Sequence, residues 1–142
     1  NSLIYLGDDA DTNGSGNEMI AYVFAEKTGY SKFGSYTGNA NADGTFVYTG
    51  FKPTFLLIKC SSDTDHWLLA DDKRPGFNDV YDLYPNLDNV EYTGTAYQTD
   101  ILSNGFKLRS TDSISNGSSK TYIYMAFGQS LVGSNNVPAT AR

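Results

Sequence analysis

The sequence predicts an all-β fold, an antiparallel β-sandwich of the jelly-roll or concanavalin-like kind. Three observations carry this expectation. Short apolar or alternating runs recur at spacings of roughly 8–12 residues, with turn-forming residues between them. The composition suits strands and turns, with 11 Tyr, 8 Phe and 14 Gly among 142 residues, residue types that either line pleated surfaces or allow tight reversals. No segment carries a helical period.

The elements follow in order. Residues 2–6 read as a short apolar strand and 8–17, rich in Asp, Gly, Ser and Asn, as a turn. Residues 18–25 are apolar on both faces, the pattern of a central strand. Residues 31–37 alternate weakly, as an edge strand does, and 44–49 form another short strand. After Pro53, residues 54–61 are a continuous apolar run; a turn at 62–65 and a strand at 66–71 complete a hairpin. Residues 72–89 carry Pro75, Gly76 and Pro85 among Asp and Asn and read as a long loop, the kind of segment that often carries function. Strands follow at 90–93 and 97–102. Asn104-Gly105 suits a two-residue hairpin turn leading into 106–110, where Phe106 and Leu108 alternate with Lys107 and Arg109. Residues 112–119 are a turn, 121–128 a strand, and 130–142 an extended tail without periodicity.

The bulk properties narrow the class. A chain of this length suits one domain, and 39% hydrophobic residues supply a core without metals or disulfides. The net charge of −6 opposes nucleic acid and anionic membrane surfaces, which both need a basic face. The single cysteine, Cys60, ends an apolar run and reads as a buried, inert thiol. No apolar run of about 18 residues that could insert in a membrane is present. The start at Asn1 reads as internal to a longer protein.

A repeat adds organisation. Residues 1–24 align without gaps on 104–127, an offset of 103, with identities at Asn1, Asp9, Asn13, Gly14, Ser15, Ile20 and Phe24. The identities include the turn Asn-Gly-Ser and two apolar positions of the strand after it. The two stretches are expected to be β-hairpins. Either the parent is a tandem array with a unit of about 100 residues, or both hairpins belong to one pseudo-symmetric sandwich. On the first reading 1–25 is the end of a preceding repeat, 26–129 the main sandwich domain and 130–142 a tail.

Three kinds of chemistry can be weighed. The run Asp9-Ala-Asp11-Thr-Asn13-Gly14-Ser15 matches the opening of a calcium loop, with oxygen ligands at alternate positions. Its twelfth position is Ile20 in place of the bidentate Glu, and the second copy replaces Asp11 by Ile114. A turn whose Asp and Asn side chains bond their own backbone explains the run as well. A carbohydrate site needs aromatic faces and planar polar side chains, and Trp67, Tyr81, Tyr84, Asp71, Asp72, Arg74, Asn78 and Asp79 cluster along one hairpin and the long loop. The competing reading packs Trp67 in the core and sets the tyrosines at an interface with another chain. Catalysis has little to build on. His66 is the lone histidine, no nucleophile elbow is present, and Asp71 and Asp72 would point to opposite faces of a strand. No cofactor motif is present.

The strand Ile20-Ala-Tyr-Val-Phe-Ala-Glu26, then Gly29-Tyr-Ser-Lys-Phe-Gly-Ser-Tyr-Thr-Gly-Asn39, Gly50-Phe-Lys-Pro53, Trp67-Leu-Leu-Ala-Asp71, Leu102-Ser-Asn-Gly-Phe106 and Tyr122-Ile-Tyr-Met-Ala-Phe127 together resemble a domain near the C-terminal end of bacteriophage tail-fibre and tail proteins, of the marine and cyanobacterial type. The resemblance covers nearly the whole chain. It implies a non-enzymatic structural component of the virion, extracellular in placement, partnered by copies of itself or by other virion proteins, and placed to touch a host-surface glycan. The alternative is a glycan-binding module on a capsid or cell surface. The resemblance carries no catalytic residues with it.

Overall fold

The computed structural model describes residues 3–74, 81–94, 96 and 98–129. The predicted tail at 130–142, the loop residues Asn78 and Asp79, and Asn1 lie outside the described residues.

Among the described residues, seven strands form two antiparallel sheets. They are β1 (Ser31–Thr37), β2 (Phe46–Tyr48), β3 (Pro53–Cys60), β4 (Trp67–Asp71), β5 (Thr99–Leu102), β6 (Gly105–Leu108) and β7 (Thr121–Gly128). One sheet has the order β1-β7-β3-β4 and the other β2-β6-β5. This is the antiparallel β-sandwich that the turn spacing predicts. A one-turn helix, α1 (Ala10–Asn13), precedes them.

The inward rows of the two sheets meet in one core. Leu56, Ile58 and Cys60 of β3, Tyr122, Tyr124 and Ala126 of β7, and Phe106 and Leu108 of β6 are all buried. They occupy alternate positions because successive side chains of a strand face opposite ways. Phe106 reaches across to Tyr36 and Tyr124, with ring centroids 6.0 and 5.3 Å apart, both edge-on, and Tyr36 stacks on Tyr122 at 5.0 Å. Cys60 is 1% exposed, as its apolar run predicts.

Several strands fall where the patterns place them: 31–37 is an edge strand, 53–60 and 67–71 form a hairpin, and 121–128 is a full strand. Four expectations need correction. Residues 3–6 and 18–25 form no strand among the described residues. An apolar alternation records what a segment can pair with, and here the position beside β1 and β3 is already filled by β7. Residues 90–93 give only an isolated bridge, Asp82 with Tyr92. The tight turn between β5 and β6 is Ser103-Asn104, since Leu102 pairs with Gly105. Gly105 serves a different need: a Cβ there would run into the carbonyl of Val47 on the neighbouring strand, so only glycine allows the close approach.

The fourth correction concerns the repeat. Its second copy is not a hairpin, because β6 and β7 belong to different sheets. The residues between them form a corner that carries the chain from one sheet to the other. Asn116 holds that corner. It is fully buried, its Nδ2 lies 3.0, 3.0 and 2.7 Å from Asn39 Oδ1, Asn41 O and Ser110 O, and its Oδ1 accepts from Asn39 N at 3.0 Å.

Removing a buried amide strands the groups it satisfied, at about 1–3 kcal/mol each. Asn116→Ala is therefore expected to lose about 3 kcal/mol of unfolding free energy in urea melts, while Asn17→Ala, on the exposed segment, stays within about 0.5 kcal/mol of wild type.

Candidate functional site

The sequence-selected residues divide along β4. At its start, Trp67 is 36% exposed and its N–H donates to Asn86 Oδ1 at 2.9 Å. His66 Nδ1 lies 3.3 Å from Asn86 Nδ2, and the His66 ring sits edge-on to Tyr84 at 6.3 Å. Tyr84 packs against the core. At the other end, Asp72 pairs with Lys52 and Lys73 at 3.6 and 3.2 Å. Arg74 pairs with Asp71 at 2.8 Å and with Glu91, and these partners hold its guanidinium cationic, above its usual range. A strand rises about 3.3 Å per residue, so Trp67 and Asp72 stand roughly 16 Å apart. The fold thus brings Tyr84 to His66 at the start of β4 and leaves Asp72 and Arg74 in a separate, internally paired group. Tyr81 is half-buried.

Beside that group lies a residue the sequence did not single out. Asp82 is fully buried and neither carboxylate oxygen has a hydrogen-bond partner among the described residues. Its backbone is held by Tyr92, with N–H···O distances of 3.1 and 2.9 Å. Burial raises its carboxyl to about 8, against the smaller opposing pull of the Arg74 charge. Nothing in the letters Tyr-Asp-Leu-Tyr separates a buried carboxyl from a surface one. Glu91, which completes the Arg74 pairing, was likewise invisible.

A second place emerges only in three dimensions. Glu26, Thr28, Ser31, Lys32, Tyr48 and Thr49 line an open cleft of about 440 Å³. Tyr48 presents its ring there, 64% exposed, and Lys32 and Glu26 pair across it at 3.3 Å. The hydroxyls of Ser31 and Thr49 are buried and bonded to backbone, so the exposed groups of the cleft are an aromatic face and a charge pair, both of which a polyol can use.

The calcium-like run is a closed turn. Asp9 Oδ1 accepts from Asp11 N at 2.9 Å, and Asn13 Nδ2 donates to Gly7 O at 2.8 Å. Ser15 is exposed beyond them. Among the described residues no three His, Cys, Asp or Glu side chains are grouped to hold a metal, and no helix is long and apolar enough to cross a membrane.

A family model matches residues 1–130, taking in the N-terminal segment and both sheets. The chain belongs to DUF7483, a domain family of unknown function. No curated protein and no solved structure matches it. The family's description assigns no chemistry, so the reading of the site rests on its groups.

Asp82 makes stability depend on pH. The folded chain keeps its proton up to about pH 8, whereas an unfolded Asp loses it near about 3.9. Between these values the folded state binds more protons, so this group's contribution is full at low pH and is lost as pH rises through about 8. Asp82→Asn is expected to flatten that slope, gaining about 1–3 kcal/mol on wild type between mildly acidic and mildly alkaline buffer. Parallel denaturant melts across that interval check it, and parallel curves for the two proteins would refute it.

Proposed function

We propose that the chain is a structural component of a virion, a tail-fibre or tail-associated β-sandwich that assembles with copies of itself or with other virion proteins and can contact the host surface. The observation that carries this is the outer face of the β1-β7-β3-β4 sheet. Antiparallel sheets with a wet face carry polar side chains there. Here Phe33, Met125, Leu57 and Leu69 stand in one cross-strand row, and in the next row Ile123, 45% exposed, and Trp67 stand on either side of Lys59. A contiguous apolar face of this kind is suited to burial against another protein. The residue-level resemblance to tail proteins supports the same reading.

A second reading has the cleft beside Tyr48 to support it: a glycan-binding module on a capsid or cell surface. Its exposed aromatic ring suits stacking on a sugar better than the Arg74 group, whose charges are already satisfied by one another.

Light scattering on the full 142-residue chain at micromolar concentrations is expected to give an oligomer that Ile123→Lys combined with Leu57→Lys returns to monomer with an unchanged far-ultraviolet spectrum. A monomeric wild type at those concentrations would count decisively against assembly through this face. On a glycan array, binding that disappears in Tyr48→Ala would establish the second reading, and binding indifferent to Tyr48 would remove the cleft from it.

A further inference from the structure

The N-terminal segment is apolar and has no strand partner among the described residues. Leu3, Tyr5, Ile20, Tyr22 and Val23 are exposed, Tyr5 by 86% and Ile20 by 82%. Such a run requires a cover, and its geometry indicates which.

At the offset of 103 the segment repeats the local structure of the corner between β6 and β7 as well as its letters. Asp9 Oδ1 accepts from Asp11 N and Asp112 Oδ1 from Ile114 N, both at 2.9 Å. Asn13 N donates to Asp9 O at 2.8 Å and Asn116 N to Asp112 O at 2.9 Å. Asn13 Nδ2 donates to Gly7 O at 2.8 Å and Asn116 Nδ2 to Ser110 O at 2.7 Å. Gly16 and Ser119 both adopt left-handed backbone, with φ of 78° and 59°. Four features at one offset mark the same corner, folded twice.

The surroundings differ. Asn116 goes on to join Asn39 and Asn41 in the loop after β1, whereas Asn13 stops at Gly7. Leu3, Tyr5, Met19 and Val23 stand at the places of Phe106, Leu108, Tyr122 and Ala126. The second set is fully buried and the first is exposed.

We propose that residues 3–24 supply the counterparts of β6 and β7 to a separate unit of this same fold, one whose β1-to-β5 framework has no such strands of its own. Asn13 then plugs the loop after that unit's first strand, as Asn116 does here. A complete second copy of the chain is a poorer occupant, because its slot between β1 and β3 is already filled by β7. The junction to the present domain is built. Phe24 packs on Phe33 and Phe127 at 6.3 and 5.6 Å, Ser31 Oγ donates to Ala25 O at 2.9 Å, and Phe33 N donates to Glu26 Oε1 at 3.0 Å. Successive units therefore meet at the Ser31 end of β1 through a packed joint. The proposal rests on the repeated geometry and stands whether or not the protein belongs to a virion.

Two fusions test it, the first keeping the full chain. The first places an added copy of residues 26–103 directly before Asn1. The second is the same with residues 1–25 replaced by a further copy of 104–128. In the first fusion the amides of residues 19–24 are expected to become protected relative to the unfused chain, and the denaturant m-value to rise about twofold as a second unit folds. Met19→Asp is expected to abolish both gains and leave the original unit's transition unchanged. The proposal is overturned if only the second fusion folds as two units, if neither does, or if Met19→Asp has no effect. It is also overturned if residues 19–24 are already protected in the unfused chain as a dimer, which would mean exchange between complete copies.

Discussion

The side chain of Asn116 sits where the chain leaves one sheet and enters the other. β6 is the middle strand of its sheet, and β7 lies between β1 and β3 in the other. The corner between them therefore sets the position of both sheets at once. A buried primary amide suits the task because it both donates and accepts, so its energy depends on direction as well as distance. Asn116 uses both capacities, reaching the loop after β1 and the residues just after β6. Two core tyrosines reinforce it: Tyr36 donates to Ser115 O at 2.7 Å and Tyr122 to Ser113 O at 2.5 Å. The polar ends of the aromatic core thus tie down the corner that places that core.

This arrangement sends the inward rows of β6 and β7 into each other, and it leaves the outer face of the larger sheet as the surface with apolar area to spare. At the far edge, β4 is continued by an isolated bridge to Leu83, and the adjoining Asp82 is buried beside a guanidinium that is already shared by Asp71 and Glu91. The cost of that carboxyl falls on the framework that supports the sheet edge. The exposed side chains of Ile123 and Trp67, and the ring of Tyr48 at the cleft, make no such demand on stability.

The candidate sites were legible in part. Tyr84 returns to the start of β4, where its ring meets that of His66, because β4 and the chain around Leu83 are bridged. Asp72 and Arg74, close to Trp67 in sequence, are carried away from it by the rise of an extended strand. The cleft beside Tyr48 joins residues 26–32 to 48–50, a proximity created by the packing of two loops and not by any spacing.

The sequence by itself determined which segments are able to be strands, where most turns fall, and that two stretches 103 residues apart share one pattern. These follow from local chemistry: alternating side chains, Asp and Asn that bond their own backbone, and residues that accept a left-handed φ. Only the tertiary structure decided which strand-capable segments have a neighbour. Residues 104–127 and 1–24 carry nearly equivalent patterns, yet one lies at the centre of two sheets and the other lies exposed, because a strand exists only when its backbone groups and its apolar face find a partner, and this domain has one place to offer.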